Sequence, residues 1–414
     1  MSPIRRSISS LKWIFLLILL VSLVLTVVIQ LTNNPEGNEN PVEPYFGISF
    51  CGDTSTEAKM LIDKTKDYTN LFVLQSGPIS KNETATNEIC DYAVDAGLDV
   101  IVFFGWFDPD YPWQIPWLDY AKARWGEDFL GLYLFDEPGG IQIDYNWTYL
   151  FHHIKEVAPE FYQTIEAYIQ ESADQTVARD YEEATERYLE YLMRHIQLDE
   201  LINRSITSFT SDYALYWFDY LSGYDTIFVQ IGWEHNLQKH IGLCRGAANV
   251  QQKDWGTIIV WNDRNPDLKI NNGTYKTGPE MLYDMHVSYE AGADYIIIFN
   301  YPTDPPGNPY GILTDEHFEA MQKFWNYMQN NPEEYGKTTA QAALVLPENY
   351  GWGMRRIDDR MWGYWGPDEK AQQIWTLYHK LLVKYSYALD IVYDDPNFPL
   401  EDTYQEIYYW NYTG

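Results

Sequence analysis

The chain has 414 residues, a formal net charge of −32, 46% apolar residues and 17% aromatic ones. That is enough apolar material for a sizeable core, and the length exceeds one average domain. An acidic excess of this size, spread along the chain without a long run, repels phosphate backbones and argues against nucleic-acid binding.

In chain order, the first feature is residues 13–31, WIFLLILLVSLVLTVVIQL, an uncharged apolar stretch long enough to cross a bilayer as a helix. Arg5, Arg6 and Lys12 precede it, and Glu36, Glu39 and Glu43 follow. By the positive-inside rule residues 1–12 stay in the cytoplasm and everything after residue 31 lies outside. The expectation is a single-pass signal-anchor in the cell membrane with the bulk of the chain extracytoplasmic. A cleaved signal peptide is the rival reading, although no small-residue cleavage site follows. Sequons at Asn82, Asn146, Asn203, Asn272 and Asn411 fit export and would accept N-glycans there. Residues 32–44, rich in Asn, Pro, Glu and Gly, read as a flexible linker. Cys51, Cys90 and Cys244 form no CxxC pair, so neither a disulfide framework nor a zinc site is indicated. A Cys51–Cys90 bridge and three buried small hydrophobes both remain open.

From residue 45 short apolar runs alternate with helical stretches. The runs are 45–50, 70–74, 98–104, 129–135, a weak fifth at 206–209, 226–231, 257–261 and 294–299. Most lack strict alternation, as strands buried on both faces do. Helical patterns fall at 54–67, 84–96, 236–252, 278–291 and 314–330. Strand then helix, repeated over 45–335, predicts an α/β fold, a (β/α)₈ TIM barrel. A helical insertion follows strand four, with one long helix over 173–203. Residues 336–414 predict a small C-terminal α/β appendage, with strands at 342–346, 389–393 and 406–410 and a helix at 368–385. Its loop 347–367 carries Trp352, Arg355, Arg356, Trp362 and Trp365, and either packs as a plain domain interface or reaches over the barrel mouth.

In TIM barrels the chemistry sits at the C-terminal ends of the strands. Those ends carry Asp53, Asp108, Asp136, Glu137, Asp212, Glu234 and Asp263. For Asp53, Asp108 and Asp212 the alternative is a helix cap or turn. The sharpest local feature is 131–139, GLYLFDEPG, an apolar strand that delivers Asp136 and Glu137 to the mouth before Pro138 stops it. Burial against an apolar wall would raise one carboxyl pKa and make a proton donor. This segment resembles the fourth-strand Asn-Glu-Pro motif of the TIM-barrel glycoside hydrolases. The resemblance implies Glu137 as general acid/base and Asp136 in place of the Asn that binds the sugar 2-hydroxyl. Those families carry a Glu nucleophile at the end of strand seven. Here strand seven ends Trp261-Asn262-Asp263, so the second carboxylate falls to Asp263 or to Glu234 on strand six. Glycoside hydrolysis needs two such groups, ~5 Å apart for retention and ~6.5–9.5 Å for inversion.

Trp106, Trp233, Trp261 and Tyr301 cluster at strand ends as platforms for sugar rings or as barrel-top packing. Gln75 and Asn300, with Asp53 and Asp212, are candidates to hydrogen-bond hydroxyls. No HExxH, nucleophile elbow, Walker loop or glycine-rich dinucleotide turn is present, and neither a metal nor another cofactor is expected. Three readings follow: a surface glycoside hydrolase acting on carbohydrate, a non-catalytic surface glycan-binding or structural barrel, and a calcium- or magnesium-dependent hydrolase built on the aspartates.

Overall fold

The computed structural model describes residues 44–144, 163, 179–232, 235–261, 275–303 and 307–412. Eight parallel strands close on themselves in sequence order: β1 (Tyr45–Phe50), β2 (Leu71–Leu74), β3 (Asp99–Phe104), β4 (Phe129–Leu134), β5 (Ser208–Asp212), β6 (Thr226–Ile231), β7 (Asp254–Ile259) and β8 (Tyr295–Ile298). β1 pairs with β2 on one side and β8 on the other, Gly47 facing Leu71 and Tyr45 facing Tyr295. Closure therefore leaves no unpaired sheet edge.

The connections carry α1 (Ser55–Thr65), α2 (Glu83–Asp95), α3 (Gln114–Trp125), α4 (Pro138–Asp144), α5 (Tyr181–Glu190), α6 (Asp199–Arg204), α7 (Tyr216–Leu221), α8 (Leu237–Gln251), α9 (Gly278–Glu290) and α10 (Asp315–Asn330). Thr54, Asn82, Asn236 and Thr277 cap α1, α2, α8 and α9 by accepting an orphan amide of the first turn. Thr277 and Glu280 complete a capping box.

The strands other than β5 are mostly apolar because both faces are buried. One set of residues, including Phe46, Ile48, Val100, Val102, Leu132, Leu134, Ile227, Val229, Ile296 and Ile298, packs under the helices. The other fills the barrel: Leu71, Val73, Ile101, Tyr133, Phe209, Phe228, Ile258, Tyr295 and Ile297. At its centre Phe209, Phe228 and Tyr295 stand 5.4–5.7 Å apart, ring centre to ring centre. Gly256 on β7 makes the room: a Cβ there would lie 2.7 Å from Tyr295 Cβ and 2.9 Å from the Phe228 ring.

Several elements differ from the sequence reading. β5 runs Ser208–Asp212 rather than 206–209, and β7 starts at Asp254 rather than 257, where Asp254 faces Thr226 in the ladder. α3 and α7 are additional. The helix expected over 173–203 is broken within its described part: α5 passes into a π-helical turn at Tyr191–His195, Gln197 turns left-handed (φ 63°), and α6 follows. The break brings Leu192, Ile196, Leu198 and Leu201 all into the core. Residues 173–178, like the apolar segment 13–31, lie outside the described residues. Among the described residues no helix is long and apolar enough to cross a membrane.

The C-terminal part forms a three-stranded parallel sheet, β9 (Ala342–Leu346) flanked by β10 (Leu389–Tyr393) and β11 (Glu406–Tyr409), with α11 (Glu369–Tyr385) between β9 and β10. It is fused to the barrel through α8. The Arg245 guanidinium, fully buried, meets Asp390 of β10 at 2.8 Å and donates to the carbonyls of Thr338 and Tyr387. Tyr404 donates to the other Asp390 oxygen at 2.9 Å, so the buried ion pair leaves no lone pair idle. Cys51, Cys90 and Cys244 are all free thiols, and the Cys51–Cys90 bridge is not formed.

Replacing Gly256 by Val is expected to overpack the barrel centre and cost about 1–3 kcal/mol. The measurement is the denaturant midpoint. Gly77→Ala, where nothing lies within 4 Å of the added carbon, is the control that leaves it unchanged.

Candidate active site

β4 ends in a strained turn. Phe135 (φ 58°) and Glu137 (φ 56°) both adopt left-handed backbone, a conformation that persists only when neighbours over-determine it. Here β3 and β5 do so. Phe135 N–H donates to Phe104 O (3.2 Å), Thr210 Oγ1 donates to Phe135 O (2.6 Å), and Glu137 N–H donates to Ser211 O (2.9 Å).

Pro138 then opens α4, and the Gly139 and Gly140 amides point straight at the Asp212 carboxylate, at 2.5 and 2.8 Å. The same carboxylate accepts the Tyr213 and Ala214 amides at 2.6 and 3.0 Å. The orphan amides of the helix start are satisfied by a carboxyl that the chain itself supplies, and burial pushes that carboxyl up to about 7 against the pull of the four amides. Both glycines are required by the approach: a Cβ on Gly140 would lie 2.2 Å from the Tyr213 ring, and one on Gly139 2.4 Å from Ala214 O. Asp212 is fully buried, and both its oxygens are taken by backbone amides. It holds the turn together and does not face the mouth where the sequence reading placed it as a substrate contact.

The turn presents two carboxyls side by side. Asp136 accepts from the Tyr133 hydroxyl and from Ser211 Oγ (2.8 Å). Glu137 accepts from Gln230 Nε2 at 2.6 Å, and Gln230 also donates to Ser211 Oγ at 3.0 Å. Gln75 Nε2 reaches the Tyr133 hydroxyl at 3.5 Å. One hydrogen-bonded array therefore spans the ends of β2, β4, β5 and β6. Burial raises the Asp136 pKa. Burial first, then the negative charge of Asp136, pushes Glu137 up to about 8, against the opposing pull of the Gln230 hydrogen bond. The pair titrates as a unit, and Glu137 is the member held neutral near pH 7. Gln230 was not singled out in the sequence. Its only signal is an amide inside the apolar run TIFVQI.

The other candidates divide. Gln75 and Asn300 are buried at the ends of β2 and β8, each with a side-chain oxygen that has no donor among the described residues. Trp261 is buried with its ring 5.3 Å from Tyr275 and 6.1 Å from Tyr301, which are themselves exposed. These three rings form an aromatic shelf beyond β7 and β8. Trp106 stands exposed beyond β3. Asp53 is exposed, and the cap of α1 falls to Thr54 instead. Trp233, Glu234 and Asp263 lie outside the described residues. Among the described residues no group of three or more His, Cys, Asp or Glu is placed to hold a metal ion.

Fold and site together define a TIM barrel with a half-buried glutamate at the end of its fourth strand. Among solved structures the chain is similar to GH5_18 from Streptomyces cattleya in complex with GlcNAc, at a TM-score of 0.53 and 11% identity, over 89% of this chain and 98% of that one. It is also similar to α-L-fucosidase isoenzyme 2 from Paenibacillus thiaminolyticus, at a TM-score of 0.49 and 13% identity, over 88% and 59%. At such identities the likeness is one of fold, and the first match alone carries it. No protein-family model and no curated protein matches the chain.

Asp212→Ala is expected to release four backbone amides at once, destabilise the fold by about 2–4 kcal/mol and accelerate hydrogen exchange at Gly139 and Gly140. Native-state exchange read by NMR or mass spectrometry checks both effects.

Proposed function

We propose that the chain is a membrane-anchored, extracytoplasmic glycoside hydrolase in which Glu137 is the general acid. The carrying observation is the Glu137 carboxyl, held by Gln230 at the barrel mouth and pushed up to about 8 by burial and by Asp136. A carboxyl that keeps its proton at neutral pH can donate it to a glycosidic oxygen as the bond breaks. Asp136, fixed by Tyr133 and Ser211, is placed beside it to accept a sugar hydroxyl. The aromatic shelf of Trp261, Tyr275 and Tyr301 offers faces on which sugar rings stack. Glu234 and Asp263 are the candidates for the second carboxylate, the nucleophile or base, with Glu234 following β6 and Asp263 following β7.

The 13–31 segment, with its basic residues before and acidic residues after, supports the anchor and its orientation. Asn82, Asn203 and Asn411 are exposed, as N-glycan acceptors must be. Because the S. cattleya barrel was solved with GlcNAc, glycans containing N-acetylhexosamine head the panel of substrates to try.

Glu137→Gln is expected to lower glycan cleavage by about 10²–10⁴-fold while leaving glycan binding in place. Wild-type cleavage should decline as pH rises through about 8, where Glu137 gives up its proton. A wild type that binds glycans on an array and releases nothing would instead favour the non-catalytic barrel.

The same group sets a stability trend. Its folded-state pKa is raised, so the protonated form is free of penalty below the ordinary carboxylate range, and stability is lost as pH climbs from there to about 8. Glu137→Gln removes that loss. The variant should unfold at higher denaturant than the wild type at pH 8 and at nearly equal denaturant at pH 4.

A further inference from the structure

The loop 347–367 leaves β9 and runs to the helix that carries the acid turn. Trp362 packs on Phe218 (4.6 Å) and Tyr188 (5.7 Å), and its carbonyl accepts from Gln142 Nε2 of α4 at 2.8 Å. Arg355 extends from the same loop and grips Asp144, the last residue of α4, with two parallel bonds, Nη1 to Oδ2 at 3.0 Å and Nη2 to Oδ1 at 2.8 Å. Its Nε and Nη2 also hold Asp359, at 2.9 and 2.8 Å, which fixes the fork in one orientation. Tyr213, whose ring lies 5.5 Å from the guanidinium, donates to Asp144 Oδ2 at 2.8 Å.

α4 has seven residues, too few to hold itself as a helix. Its first turn is pinned by Asp212 and its last by Arg355, and Glu137 is the residue immediately before it. We propose that Arg355 is a positioning residue for Glu137, so that the C-terminal appendage is a working part of the site. The proposal rests on the acid role assigned to Glu137 above. Arg355 acts in two ways: it anchors the far end of the helix, and it offsets part of the Asp144 charge, which bears on Glu137.

Among the described residues the groups facing Glu137 are Asp136 on its own turn, Tyr133 of β4, Asp212 of β5 with Tyr213 just after it, Gln230 of β6, Asp144 of α4 and, paired to Asp144, Arg355. The Asp144 charge raises the Glu137 pKa. His235, after β6, feels the same pair: burial first, then Arg355, hold its imidazole down at about 4.

The test is a ¹³C NMR titration of the Glu137 carboxyl in protein labelled at the glutamate side chain, assigned by its loss in Glu137→Gln. Arg355→Gln should raise the Glu137 midpoint by about one unit, the scale of one unmasked charge in the protein interior, and should raise the His235 midpoint with it. Asp144→Asn should lower the Glu137 midpoint. The double variant should lack the rise seen in Arg355→Gln alone, and Arg355→Lys should show a smaller rise. Where Arg355→Gln does not fold, Asp144→Asn decides the matter, because it keeps the shape of the group it replaces. Folded Asp144→Asn with an unmoved Glu137 midpoint overturns the proposal and leaves the loop a packing element. The titration needs no turnover. Shifts of the expected sign in a protein that cleaves no glycan would sink the hydrolase reading and leave the positioning role standing. Cleavage with unmoved midpoints would do the reverse.

Discussion

The bond between the Asp212 carboxylate and the Gly139 and Gly140 amides is the constraint on which the site depends. It joins β5 to the start of α4 across the gap that the left-handed residues Phe135 and Glu137 open at the end of β4. Without a negative group in that place the amides would be buried donors with no acceptor, a cost of about 1–3 kcal/mol each. With it, the turn is closed, and Glu137 accepts from Gln230 at 2.6 Å. Glycine at both positions follows from the same geometry, since the Tyr213 ring and the Ala214 carbonyl occupy the space a side chain would need.

That clamp gathers acids. Asp136, Glu137, Asp144 and Asp212 converge on one turn, and the charges of the other three each push the Glu137 pKa upward. A protein selected for stability alone would not collect them. Two devices make the cluster tolerable. Donors are spent on three members: amides on Asp212, Tyr133 and Ser211 on Asp136, and the Arg355 fork on Asp144. The remaining member, Glu137, receives one neutral donor among the described residues, Gln230, and keeps its proton at neutral pH. An array that spends its donors on three carboxyls and pushes the fourth, Glu137, up to about 8 is suited to holding a proton at the barrel mouth.

Much of this was legible in the sequence, and the failures have physical causes. Seven of the eight strands fall on or overlap the apolar runs, because burial on both faces demands such runs. β5 was faint and misplaced because Ser208, Thr210, Ser211 and Asp212 are polar, and Ser211 and Asp212 are polar in the service of the site. α3 was not read from the sequence; its Pro116 lies in the first turn, where the missing N–H costs nothing. α7, six residues long, is too short to show a period. The pair Asp136-Glu137 was visible as an interrupted strand, and the cap alternative for Asp212 was open. Gln230 and Arg355 were not recognised as site residues, since each acquires its partner from more than 90 positions away, and local pattern holds no record of that.

Infrared difference spectra between wild type and Glu137→Gln at pH 7 read the decisive quantity, the protonation state of one side chain. A carbonyl band of a protonated carboxyl, present in the wild type and absent from the variant, is the expected result. Loss of carboxylate bands alone would mean that Glu137 is already ionised, and the assignment of a proton donor at the end of β4 would be contradicted.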